Sequence, residues 1–189
     1  MLNVVAVRRD LHAHPELAFA ETRTTALIVA HLTSLGLAPE VLPTGTGVVC
    51  EIGSDGPLVA LRADIDALPL TDEKAVPYRS TVDGVCHGCG HDAHTAILLG
   101  AAAELAAQRL PGRIRLIFQP AEETVPGGAT SAIAAGVLDG VDQIFALHCD
   151  PRLPTGQVGL RVGPITAACD HLDVVLRGAG GHTARPHLT

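Results

Sequence analysis

Positive charge is scarce in this sequence. Its 13 basic residues include a single lysine, Lys74, and face 20 acidic ones, for a formal net charge of -7. That shortage disfavours non-specific nucleic acid binding, which needs clustered Lys and Arg to meet phosphates. Long apolar runs are missing as well. No stretch of about 18 uncharged apolar residues occurs, so the sequence offers no candidate membrane span. The opening MLNVVAVRRDLHAHPEL places its arginines after a short apolar run, the reverse of a secretory signal, and cytoplasm is the expected location. Cysteines are few and odd in number: Cys50, Cys86, Cys89, Cys149 and Cys169. Their irregular spacing argues against a disulfide framework and for reduced thiols, one or two of which have a task. Internal repeats and low-complexity linkers are absent too.

What is present suits one domain with a sizeable core: 189 residues, 47% of them hydrophobic and 17% charged. Residues 21–35 put Ala26, Ile28, Val29, Leu32 and Leu35 near helical spacing, and Gly36 follows as a terminator. Two short apolar runs, 47–52 and 58–64, flank the turn composition Gly53-Ser54-Asp55-Gly56-Pro57 and read as adjacent strands. An Ala- and Leu-rich helix is expected over 92–108, with Asp92 as its cap, ended by Pro111-Gly112. Strands at 113–119 and 142–148 enclose a short helix at 132–138. Strands alternating with helices imply an α/β sheet, mixed but mostly parallel, with helices on both faces.

Ionisable residues then fall into a pattern. LVALRAD runs into Asp64-Ile65-Asp66, RLIFQPAEE closes on Glu122-Glu123, and QIFALH ends in His148. Carboxyl ends of strands are where open α/β sheets build their sites. The segment HGCGHDAH (87–94) adds a fourth set just before a helix. Thiol, imidazole and carboxylate donors from four loops suit zinc and tolerate manganese, cobalt or nickel. Cys89 and His91, separated by Gly90, can turn towards one ion. Consecutive Glu122 and Glu123 can divide the labour, one binding metal and the other moving a proton.

Each piece alone has a plainer explanation. Single Cys or His residues usually pack or lie on the surface, and there are ten histidines. Cys86-x-x-Cys89 has no second pair to complete a zinc ribbon. Glu122-Glu123 could be solvated charge, Asp64 and Asp66 turn residues before Pro69. His12 and His14 read as polar residues at a helix boundary, because Pro15 disfavours helix at His14. The convergence at strand ends is what favours a site.

RRDLHAHPELAFAET (8–22), LRADIDALPL (61–70), HGCGHDAHTAILLGAA (87–102), LIFQPAEE (116–123), ALHCDPRLPTG (146–156) and GAGGHTARPH (178–187) occur in one order. That order resembles the bacterial N-acyl-amino-acid amidohydrolases, a group with hippurate hydrolase, related to the aminoacylase and carboxypeptidase metalloenzymes. The resemblance implies a zinc-peptidase-like α/β fold, with the start of a small α+β lid. It implies two divalent ions, zinc or manganese first and cobalt or nickel next. Their ligands would include Cys89, His91, Glu123 and His148. Glu122 matches the general base that activates the attacking water, and Asp66 an acidic residue supporting the site. His182 matches a lid histidine that, in dimeric relatives, reaches a neighbour's site to stabilise the oxyanion.

Members of this group are about twice as long and carry a further histidine ligand near the C-terminus. The chain therefore reads as an N-terminal piece: a catalytic part over 1–168 and the beginning of a lid and dimerisation domain over 169–189, in which the apolar, β-branched run 172–178 is expected to form a strand. The expected substrate is a small N-acyl amino acid, hydrolysed to a carboxylate and the free amino acid by a protein that pairs as a homodimer. A carboxypeptidase or dipeptidase on the same scaffold, or a truncated non-catalytic relative, are the alternatives.

Overall fold

The computed structural model describes residues 2–165, 172–178, 180–182, 184 and 187. Two compact units divide the chain, Met1–Arg152 and Leu153–Thr189. All regular elements among the described residues lie in the first: α1 (Val4–Ala13), α2 (Thr22–Ser34), β1 (Glu40–Val41), β2 (Val48–Ile52), β3 (Leu58–Asp64), α3 (His91–Ala106), β4 (Arg113–Gln119), α4 (Gly128–Ala134) and β5 (Gln143–Ala146). Among the described residues no helix is long and apolar enough to cross a membrane.

The sheet is mixed, in the order β1-β2-β4-β3-β5. β1 with β2 and β2 with β4 are antiparallel, whereas β3 runs parallel to both β4 and β5. The expected adjacency of 47–52 and 58–64 is therefore wrong, because β4 lies between them. Its run Leu116-Ile117-Phe118 is buried on both faces, which demands a central place. The loop 53–57 instead passes over the start of β4. Arg113 N–H donates to the Pro57 carbonyl at 2.8 Å, and a Cβ on Gly53 would stand 2.7 Å from the Gly112 oxygen. Glycine at φ +86 permits that approach.

Period-two alternation sorts the sheet's side chains. Val48, Cys50, Ile52, Ala63, Leu116 and Phe118 pack with α1, α2 and α3 in one core, while Ala60 and Ile117 meet Ala132 of α4 and Val137 on the other face. Phe118, Leu116, Leu99, Ile28 and Leu32 are fully buried. Each contributes roughly 1.5–3 kcal/mol relative to an exposed side chain. Gly100 lets α1 approach α3, since a Cβ there would lie 2.8 Å from Val4 Cγ1.

Several boundaries differ from expectation for local reasons. Gly36, at φ +77, ends α2 as anticipated. α4 starts earlier than residue 132 and stops before Gly136, whose φ of +80 places it just past the helix end. α3 is capped by Gly90 rather than Asp92. The Asp92 carboxylate is turned to α1, where Oδ2 meets His12 Nδ1 at 2.6 Å and Arg8 Nε at 2.8 Å. His12 is consequently fully buried, not a boundary residue, while His14 remains partly exposed.

In the second unit, residues 172–178 form no strand and are exposed. No ladder partner for this apolar run exists among the described residues, so the strand expected there is not made. The boundary expected at residue 168 falls within 166–171, outside the described residues.

Candidate metal centre

β3, β4 and β5 deliver their carboxyl ends to one place, and α3 begins there. Asp64 ends β3 and Asp66 follows it. Glu122 and Glu123 come just after β4, His148 after β5, and Cys89 and His91 at the entry to α3. The left-handed Gly90, at φ +91, makes the turn between Cys89 and His91.

The loop after β4 is shaped from a distance. Glu21, fully buried, accepts the Ala121 N–H at 2.8 Å. That bond holds Ala121 at φ +50, a left-handed conformation that costs about 1 kcal/mol for a non-glycine residue. Glu122 and Glu123 project from the residues that follow.

His91 is at the centre and almost fully buried. Its Nδ1 bonds the Asp66 carbonyl at 3.0 Å and stands 3.2 Å from Asp66 Oδ1. The second Asp66 oxygen accepts the Glu123 N–H at 2.9 Å, so one carboxylate orients both the ring and the acidic pair. With Nδ1 engaged, Nε2 faces inward and has no hydrogen-bond partner. Around it stand Asp64 Oδ2 at 3.6 Å, Glu123 Oε1 at 3.7 Å and Glu122 Oε2 at 3.9 Å. Cys89 Sγ and His148 Nε2 are 3.4 Å apart, and the ligand atoms of Cys89, His91 and His148 all lie within 4.8 Å of one another.

These separations suit a cation. Donors at bond lengths of about 2.0–2.3 Å from a tetrahedral ion lie roughly 3.3–3.6 Å from each other. A buried imidazole nitrogen with no partner is otherwise an uncompensated polar group. Cys89, His91 and His148 stand close enough together to offer donors to a divalent ion, as do His91, Glu122 and Glu123, with Asp66 bonding the far side of the His91 ring.

The electrostatics describe the same surplus of negative charge. Burial pushes the Cys89 thiol up to about 12, and its hydrogen bond to Glu123 and the Glu122 and Asp64 charges push the same way. Burial also raises Glu122, aided by the adjacent Glu123 charge. Burial opposes the charged form of His91, but Asp66, Asp64 and Glu123 outweigh it and raise the ring above its ordinary value. Asp64 moves oppositely: burial would raise it, yet the His94 hydrogen bond and the Arg62 charge hold it at about 2.

The structure thus brings six of the expected residues together: Cys89, His91, Glu122, Glu123, His148 and Asp66. His182 belongs to the second unit, where it is exposed and its Nδ1 accepts the Ala184 N–H at 3.2 Å. Sequence reasoning missed Glu21 and His94. Neither announces itself: Glu21 acts 100 positions from its partner, and His94 looks like one more polar residue on a helix.

A family model for peptidase family M20/M25/M40 matches residues 60–187. A Rhodococcus jostii protein bearing a glutamate–cysteine ligase name is 58% identical over 187 residues, covering 98% of this chain and 24% of that protein. The N-acetylcysteine deacetylase of Bacillus subtilis is 46% identical over 189 residues, 97% of this chain and 50% of its own length. Among solved structures, a Bacillus subtilis dinuclear metal-binding peptidase superposes with a TM-score of 0.82 at 47% identity, over 85% of this chain and 46% of that one. The chain spans about half the length, or less, of these relatives. The sheet, the strand-end donors and the match over residues 60–187 agree, and the chain belongs to peptidase family M20/M25/M40.

Proposed function

We propose that the full-length protein is a metal-dependent hydrolase that cleaves the amide bond of an N-acyl amino acid, releasing a carboxylate and the free amino acid. The observation that carries this reading is the buried, unpartnered His91 Nε2, set among Cys89, Glu122, Glu123 and His148. Cys89, His91, Glu123 and His148 would hold the metal, as a dinuclear centre with zinc or manganese its first candidates. Bound there, divalent cations polarise a carbonyl and lower the pKa of water. Glu122 is left to move protons. Its raised pKa suits a base that takes a proton from water and returns it to the leaving nitrogen. Asp66 keeps the His91 ring turned inward. His182 would supply an oxyanion donor to a neighbouring subunit's site, in a homodimer formed through the lid.

Similarity to the N-acetylcysteine deacetylase supports an acylated amino acid as substrate. Substitution of the two glutamates separates their roles. In the full-length protein Glu122→Gln should lower turnover of an N-acetyl amino acid by at least about 100-fold while metal content, read by atomic emission, stays near wild type. Glu123→Gln should lose metal and activity together. Equal metal loss from both variants would show that the pair does not divide the work in this way.

A further inference from the structure

We propose that Asp64 and His94 are a positioning pair that fixes His148, acting through the residue after it and through one tautomer of the His94 ring. This inference rests on the assignment of His148 to the metal site and adds two residues to it.

The bonds allow one arrangement of protons. Cys149 N–H donates to His94 Nε2 at 2.9 Å. A backbone amide can only donate, so Nε2 must be the nitrogen that carries a lone pair. The proton then sits on Nδ1 and is given to Asp64 Oδ1, 2.6 Å away. Asp64 is itself held: Oδ2 accepts from Arg62 Nη1 at 2.7 Å, and Arg62 Nε donates to Gln119 Oε1 at 3.0 Å. With both ring nitrogens engaged, His94 is not free to bind an ion, although its atoms lie within 4.8 Å of Asp64 and His91.

Cys149 is the pivot. Its carbonyl oxygen accepts from His148 Nδ1 at 2.8 Å, which leaves Nε2 of that ring facing Cys89 Sγ at 3.4 Å. His94 therefore sets the residue whose carbonyl sets the ligand. The need for such a brace follows from position. β5 is paired only with β3 among the described strands, and His148 and Cys149 lie two and three residues past its end. Without the His94 bond, this segment could swing and carry the ligand away. The rings of His94 and His148 also stack edge to face, with centroids 4.7 Å apart.

The first test needs no substitution. Long-range proton–nitrogen NMR of the full chain, labelled at histidine nitrogens, should show a neutral His94 protonated at Nδ1. A ring protonated at Nε2, or at both nitrogens, would overturn the proposal. The second test titrates cobalt(II) and reads the sulfur-to-cobalt absorption. Asp64→Asn, whose amide can donate to Nδ1 and so release the tautomer, should weaken cobalt binding by about 10–100-fold. In the Asp64→Asn/His148→Ala double variant, affinity should fall no further than in His148→Ala alone, because both changes remove the same ligand. Additive losses would overturn the pair. Cobalt binding unchanged by His148→Ala would instead refute the metal site itself, with the tautomer measurement still deciding the ring's role. Should Asp64→Asn fail to fold, His94→Gln keeps an acceptor for the Cys149 N–H and should bind cobalt at least about 5-fold more tightly than His94→Leu. Equal affinities would count against the brace.

Discussion

Glu21 is a single residue through which pH should reach the fold. One carboxylate oxygen accepts the Ala121 N–H at 2.8 Å, and the other is buried near Thr46. Burial raises its pKa, outweighing the backbone and Thr46 hydrogen bonds that would lower it. An acid whose folded pKa exceeds its unfolded value holds its proton longer in the native state. Stability therefore declines as pH climbs from the unfolded value, about 4.3, through the raised folded one, and is flat beyond. Glu21→Gln keeps an acceptor for Ala121 and removes the titration. The urea midpoint of Glu21→Gln should gain on that of wild type as pH rises from about 4.5 to 7. A difference independent of pH would contradict this account. Site residues of this kind differ in how openly the sequence declares them. Glu122, Glu123 and His148 could be singled out because they follow strand ends, and Cys89 and His91 because they open a helix. Glu21 could not, since nothing local links a helix-start glutamate to a loop 100 residues later.

At the scale of elements, one histidine ties α1 to two other parts of the fold. His12 Nδ1 meets Asp92 in the first turn of α3, and Nε2 lies 3.3 Å from Asp72 in the loop that follows β3. Asp72 in turn accepts the Lys74 and Ser80 amides. One buried ring thus joins a helix, a second helix and a loop. His12→Ala leaves a cavity and two carboxylates without their common partner, and should cost about 3 kcal/mol. His14, two residues on, pairs with Asp10 in a geometry open to solvent. His14→Ala should cost no more than about 0.5 kcal/mol. Urea unfolding of the two variants checks the contrast, and similar losses would refute it. The helices α2 and α3 and four of the strands were legible from periodicity and turn chemistry. Strand order was not: the hairpin-like turn at 53–57 gives no sign that β4 will insert. Nor could the pattern reveal that Asp92 serves α1 instead of capping α3.

Among the described strands of this chain, the sheet's two edges are unequal. β1 is short and polar at Glu40, but β5 exposes Ile144 and Phe145, each about half accessible. Such an edge invites strand addition from other molecules. Ile144→Lys should reduce concentration-dependent light scattering of this chain without lowering its urea midpoint. Unchanged scattering would show that association uses another surface. The α/β class, the layered helices and the gathering of donors at one sheet end were all foreseeable, because burial and strand polarity dictate them. The extended run expected at 172–178 was not formed, since a strand needs partners as well as propensity. Anomalous X-ray scattering from crystals of the zinc-loaded chain would locate the ion among these donors. A zinc peak is expected about 2.3 Å from Cys89 Sγ and about 2.0–2.2 Å from His91 Nε2, His148 Nε2 or Glu123. Zinc bound elsewhere, with His91 Nε2 still unpartnered, would contradict that expectation.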